Sequence, residues 1–163
     1  MVFYIDTSVF YHAYSPIEHA ELADWVLDRI SPSMPACTSE WTIVEMFRAF
    51  KKQVNLKKIV EEDAQKIIDH FLAEIHEWQQ LKALFLIPVE LSSIIEARDI
   101  IFGSNLYAAD AIHFLSALNM KATAFLTFDK DFHADLKGIA IINQNTKDFQ
   151  EKINAFRFKS KEN

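Results

Sequence analysis

Apolar residues along the chain gather in two alternating kinds of run. Short, dense β-branched and aromatic runs at 2–5, 34–37, 84–89, 124–127 and 139–142 read as buried strands. Between them lie longer stretches in which apolar residues return every three or four positions, the period of a helix with one face on a core. The first carries Ile17, Ala20, Val26, Leu27 and Ile30 and stops at Pro32. Ser15-Pro16-Ile17-Glu18 marks its start, because Ser15 can cap, Pro16 suits the first helical position and Glu18 completes a capping box. Thr38 or Ser39 caps a second helix, with Trp41, Val44, Phe47 and Phe50 as its apolar positions. The longest helix, 61–82, sets Ile67, Ile68, Phe71, Leu72, Ile75 and Trp78 on one broad stripe. Ser92 or Ser93 caps a helix that ends at Gly103, and another spans 108–118.

Strands that alternate with helices predict an α/β fold, a three-layer α/β/α sandwich with a mainly parallel central sheet. At 163 residues the chain suits one domain, placed here at 1–147. Residues 148–163 end in a polar Lys/Glu/Asn stretch and are expected to form a loose C-terminal extension. In such sheets functional groups collect past the carboxyl ends of the strands.

Composition narrows the chemistry. Two glycines in the whole chain exclude a Gly-rich phosphate loop. The single cysteine, Cys37, excludes an internal disulfide and a cysteine-based metal site, which fits a reducing compartment. Asp6 interrupts the apolar N-terminus before a secretory leader could form, and no apolar run approaches the roughly 18 residues of a membrane span. The expectation is a cytoplasmic protein with no membrane partner. A net charge of −6 counts weakly against nucleic acid, but the charge is uneven. Residues 1–40 hold six acids and one base, whereas 48–58 hold five bases (Arg48, Lys51, Lys52, Lys57, Lys58) and no acid.

Four acids stand out by context. Asp6 directly follows the first strand in Tyr4-Ile5-Asp6-Thr7-Ser8, and Asp129 directly follows a later one in Leu126-Thr127-Phe128-Asp129. Both belong at the carboxyl edge of the sheet. Glu45 and Asp110 sit within helices among apolar neighbours, in Ile43-Val44-Glu45-Met46-Phe47 and Ala108-Ala109-Asp110-Ala111-Ile112. Burying such a carboxylate is costly unless its charge is compensated, and a divalent metal is the simplest compensation. Magnesium and manganese favour carboxylate and water ligands. Each acid also has an ordinary reading. Asp6 suits a turn or helix cap, Glu45 an i,i+3 partner for Arg48, Asp110 a helix border, and Asp129 a turn residue ahead of an Asp131 cap.

Together these segments resemble the PIN-domain nucleases, and within them the VapC-type toxin ribonucleases of toxin–antitoxin pairs. Asp6-Thr7-Ser8 after the first strand matches the opening motif of that family, and Ser39-Glu40-Trp41-Thr42-Ile43-Val44-Glu45 resembles its second. Tyr107-Ala108-Ala109-Asp110-Ala111-Ile112-His113-Phe114-Leu115-Ser116-Ala117 closely resembles the third, and Phe125-Leu126-Thr127-Phe128-Asp129-Lys130-Asp131-Phe132 the fourth. The likeness runs from about residue 2 to 142; the long helix at 61–82 and the C-terminal extension depart from the pattern. The resemblance implies Mg2+- or Mn2+-dependent hydrolysis of RNA, with Asp6, Glu45, Asp110 and Asp129 as catalytic and metal-holding residues. It implies Ser8 and Thr127 as hydroxyls that orient the carboxylates. It also implies a homodimer and a small antitoxin partner, for which the helix at 61–82 offers an apolar groove.

The remaining features are open. Arg48, Lys51, Lys52 and Lys130 are candidate contacts for RNA phosphates or plain solvated cations. His113, one turn after Asp110, suits a general base or, more commonly for such a residue, a packed core histidine. Fourteen phenylalanines read as core and dimer interface, with no interleaved platform for stacking single-stranded RNA. An aspartyl phosphatase would need a second Asp where Ser8 stands, which disfavours that chemistry. The alternative function is a degenerate or housekeeping PIN module that binds RNA or protein without cleavage.

Overall fold

The computed structural model describes residues 2–15, 19–130, 132 and 138–159, with side chains through residue 155. In chain order the elements are β1 (Phe3–Ile5), α1 (Thr7–Ala13), α2 (Ala20–Leu27), β2 (Ala36–Ser39), α3 (Trp41–Asn55), α4 (Glu61–Gln80), β3 (Leu84–Ile87), α5 (Leu91–Ser104), α6 (Ala108–Asn119), β4 (Ala124–Thr127), β5 (Ala140–Asn143) and α7 (Phe149–Lys159). The strands form one sheet in the order β3-β2-β1-β4-β5. Every pairing is parallel, with Tyr4 opposite Cys37 on one side and Phe125 on the other.

Successive side chains of a strand face opposite layers, and the two cores sort accordingly. Phe3 and Ile5 join Leu84, Leu126 and Ile142 in one core with α1, α2, α3, α4 and α7. Tyr4, Cys37 and Phe125 join the other with α5 and α6, through Ala97, Phe114 and Leu115. The result is the α/β/α sandwich expected from the strand–helix alternation. β1 lies at the centre of the sheet, so β2 and β4 flank the residues that leave its carboxyl end.

Several local expectations shift. Ser39 belongs to β2, paired with Ile87, and from there its Oγ accepts the N–H of Trp41. The buried stripe of α3 is Thr42, Met46 and Phe50, while Trp41, Val44 and Phe47 are exposed. The capping-box residues Pro16, Ile17 and Glu18 lie outside the described residues, as does Asp131; α2 begins at Ala20, after His19, and ends at Leu27, ahead of Pro32. α5 passes through Gly103 to Ser104 and closes on Asn105, whose left-handed backbone (φ 54°) ends the helix. Its N-cap is Glu90, with neither Ser92 nor Ser93 in that place. On α4, Ala64, Phe71 and Ile75 are buried, and Ile67, Ile68, Leu72 and Trp78 pack against them, so its apolar stripe is spent on the core and offers no open groove. At the C-terminus α7 buries Phe149 and Ile153 in the first core, so the chain beyond 148 enters the fold before it ends.

Candidate active site

β1 delivers Asp6 to the carboxyl edge of the sheet. The residue is 4% exposed and caps α1, its Oδ2 accepting the backbone N–H of Ser8 at 3.2 Å. The same oxygen accepts the Ser8 hydroxyl and, at 2.9 Å, the Thr127 hydroxyl at the end of β4. Those hydroxyls are held in turn. The Phe128 N–H donates to Ser8 Oγ at 2.8 Å, and the Asp129 N–H donates to Thr127 Oγ1 at 3.0 Å. The start of α1 and the end of β4 are thereby stitched around one carboxylate, and the cap and the site are the same contact.

Glu45, on α3, is held through Oε2. Thr7 Oγ1 donates to it, and His113 Nε2 lies 2.6 Å away. Thr7 also contacts Thr42 Oγ1, which bonds Thr38 Oγ1 at 2.7 Å, and Thr38 donates to the Ile5 carbonyl. No described hydrogen bond reaches Oδ1 of Asp6 or Oε1 of Glu45, so each carboxylate keeps one oxygen without a protein partner among the described residues.

A cleft of about 500 Å³ gathers the set. Asp6, Glu45, Asp110 and Asp129 all line it, with Thr7, Ser8, Tyr11, Ala49, Arg48 and Lys52. Its electrostatics are those of crowded negative charge. Burial and the charges of Asp6, Asp129 and Glu45 push the Asp110 carboxyl up to about 7. Burial works against the charged form of Glu45, yet the bond and charge of His113 and the Thr7 hydroxyl outweigh it and lower its pKa. Burial likewise pulls the His113 imidazole down, and its bond to Glu45 with the charges of Asp6, Glu45 and Asp110 raises it overall. Among the described residues no three His, Cys, Asp or Glu side chains stand close enough to hold one ion by themselves. The donors that line the cleft are four carboxylates, with Oδ1 of Asp6 and Oε1 of Glu45 unengaged among the described residues, and such oxygen ligands suit a hard cation that keeps part of its water shell, as magnesium does.

The PIN domain family matches residues 3–135. The chain belongs to the PIN-domain family. No curated protein matches it in sequence. Solved structures match its fold. One is VapBC2 from Rickettsia felis bound to a DNA fragment from its promoter, 17% identical, covering 88% of this chain and 98% of its own, with a TM-score of 0.61. PAE2754 from Pyrobaculum aerophilum is 16% identical, covers 95% and 90% and has a TM-score of 0.62. A toxin–antitoxin complex from Klebsiella pneumoniae is 19% identical, covers 84% and 94% and has a TM-score of 0.52.

Within this PIN domain the sequence-selected residues separate. The four acids meet, and Ser8 and Thr127 both bond Asp6. Arg48 and Lys52 line the cleft; Lys51 turns instead to Glu61, 3.2 Å away, and Lys130 is exposed outside the lining. His113 is 1% exposed and touches Glu45, so it is at once a packed histidine and a neighbour of the site. Sequence reasoning passed over Tyr4, Thr7 and Tyr11. Their signals were a phenol in an otherwise apolar strand, a hydroxyl next to Asp6, and an aromatic one helical turn further along α1.

Proposed function

We propose that this PIN domain is a Mg2+- or Mn2+-dependent endoribonuclease that hydrolyses RNA phosphodiester bonds, and that it is the toxin of a toxin–antitoxin pair. The observation that carries the nuclease reading is the cleft itself: four carboxylates from β1, α3, α6 and the end of β4, with two cations on its wall. A divalent ion bound there supplies a water polarised for attack and positive charge for the attacking and leaving oxygens. Asp6, Glu45, Asp110 and Asp129 would hold it together, in part through water molecules that the ion keeps. Ser8 and Thr127 keep Asp6 in one orientation. Asp110, whose carboxyl is pushed up to about 7, would serve as a ligand in its charged form. Arg48 and Lys52 bind backbone phosphates beside the acids and orient the strand.

The toxin reading draws on the fold shared with VapBC2 and with the Klebsiella complex. An acidic cleft invites a basic inhibitor, and an antitoxin arginine could place a bidentate guanidinium where metal and phosphate would sit. Outside the cleft, α5 and the start of α6 expose Leu91, Ile95, Phe102 and Tyr107, with Phe102 86% and Tyr107 74% exposed. Apolar side chains so open to water support a homodimer that covers them. Among the described residues no helix is long and apolar enough to cross a membrane, which is compatible with an RNA substrate in the cytoplasm.

The test is cleavage of a single-stranded RNA pool by purified protein in Mg2+ or Mn2+. Cleavage should vanish in excess EDTA and in Asp6→Asn, whose side chain keeps its shape but loses its charge. Full cleavage in EDTA would overturn the mechanism. A folded protein that binds neither ion would make it a degenerate PIN module.

A further inference from the structure

The hydrogen bonds of Glu45 continue beyond the cleft. His113 Nε2 lies 2.6 Å from Glu45 Oε2, and its other ring nitrogen, Nδ1, lies 2.6 Å from the Tyr4 hydroxyl. That hydroxyl accepts the Ser39 backbone N–H at 3.1 Å. The Tyr4 ring is stacked flat on Phe125, with centroids 5.0 Å apart and planes 8° apart, and Phe125 is wedged against Phe132 and Phe114. Tyr4 is fully buried and His113 is 1% exposed. A chain of bonds thus runs from the backbone of β2 through β1 and α6 to the carboxylate on α3, and it is clamped by packing at its far end. Glu45 is half-buried on α3, and its Oε2 takes both His113 and Thr7 while Oε1 takes neither.

We propose that His113, steadied by Tyr4, is a positioning residue for Glu45: it pins Oε2 away from the cleft, leaves Oε1 as the ligand oxygen, and so sets how tightly the site holds a divalent cation. This rests on the metal-dependent nuclease reading above. His113 is 1% exposed and does not line the cleft, and its polar contacts among the described residues are Glu45, Thr7 and Tyr4, so it acts on the site through Glu45. Its Nε2 must carry a proton towards the carboxylate whether the ring is neutral or charged, because Glu45 can only accept there. A histidine that merely filled space would be replaceable by an apolar ring of like size. A positioning histidine is not, since what matters is an N–H at the Nε2 point.

Calorimetric titration of the full chain with Mn2+ at a fixed pH tests this, using wild type, His113→Phe, His113→Gln and Tyr4→Phe, with melting curves to confirm folding. His113→Phe should weaken Mn2+ binding about 10–100-fold. His113→Gln, which restores an N–H near the Nε2 point, should recover most of that loss. Tyr4→Phe should weaken binding by less than His113→Phe does. In 15N-labelled wild type, His113 Nε2 should appear protonated. Unchanged affinity in a folded His113→Phe, a Gln variant no better than Phe, or an unprotonated Nε2 overturns the proposal while the nuclease reading stands. If His113→Phe fails to fold, Tyr4→Phe decides, and unaltered affinity there overturns it. A wild type that neither binds Mn2+ nor cleaves RNA removes the nuclease reading and the proposal together.

Discussion

Asp110 concentrates the electrostatic cost of bringing four acids together. Its folded-state carboxyl is pushed up to about 7, by burial first and then by Asp6, Asp129 and Glu45, whereas an unfolded aspartate titrates at about 3.9. Between those values the folded chain binds more protons than the unfolded one. The contribution of Asp110 to metal-free stability is therefore complete below about pH 4 and is lost as pH rises towards 7. A cation that needs the carboxylate must displace that proton. Mg2+ or Mn2+ affinity should accordingly rise with pH and level off above about 7; affinity flat between about pH 5.5 and about 8 would contradict this. Asp110→Asn relieves the crowding without a metal. Its metal-free form should melt no lower than wild type at pH 8, while the Mg2+-induced rise in Tm disappears, as scanning fluorimetry would show. Cys37 gives a separate check on the opposite core. It is fully buried, and burial pushes its thiol up to about 12. Ellman's reagent should leave it untouched in the native protein and label it promptly in denaturant. Rapid native labelling would mean that the layer over Tyr4 and Phe125 opens readily.

At the level of elements, α7 shows how pattern and packing diverge. Its polar residues and the Lys/Glu/Asn ending let it read as a tail, although Phe149, Ile153 and Phe156 recur at helical spacing. Of these, Phe149 and Ile153 are buried in the core, and the Phe149 ring packs near Trp25 of α2 and near Phe128. Ile153 is wholly buried, so Ile153→Ala should cost about 2–5 kcal/mol in urea unfolding. A loss within experimental error would make the segment dispensable to the domain. α3 diverges in the other direction. Trp41, Val44 and Phe47 repeat at a convincing helical spacing and yet face outwards, because Thr42, Met46 and Phe50 occupy the adjoining stripe. Thr42 looks polar in sequence but is buried in bonds to Thr7 and Thr38. Of the expected apolar positions only Phe50 is buried; Met46 and the hydrogen-bonded Thr42 complete the buried stripe in place of Trp41, Val44 and Phe47. The strands lack this ambiguity. The central strands β1 and β4 are short apolar runs buried on both faces and have few other places to go, and β1, β3, β4 and β5 fall within a residue or two of their expected positions.

For the molecule as a whole, the proposed functions make two claims that assays can separate. If the exposed apolar face of α5 is covered by a second copy, Phe102→Asp should shift light scattering from dimer to monomer without lowering Tm. A wild type that is monomeric at micromolar concentration would remove the dimer. If the chain is a toxin, its expression should arrest growth, Asp6→Asn should not, and co-expression of a small neighbouring reading frame should rescue the cells. A soluble, metal-binding wild type that is harmless on expression would leave a PIN nuclease of another role.

The sequence by itself determined the layered fold and singled out four acids by their contexts. Strand–helix alternation is a local property, and each acid has a local signature: a strand end for Asp6 and Asp129, an apolar helix for Glu45 and Asp110. Their membership in one cleft depends on β1 lying between β2 and β4, an order that no local pattern states. Tertiary structure also decided the roles that depend on a partner far along the chain. Arg48 and Lys52 separate from Lys51 only because Glu61 draws Lys51 aside. Tyr4 and His113 become a unit only because the parallel sheet sets β1 beside β2 and lays α6 across them, so that residues 109 positions apart share a proton-sized gap. Hydrogen bonds act over about 3 Å, and which side chains come within that reach is settled by the packing of elements rather than by their spacing in sequence.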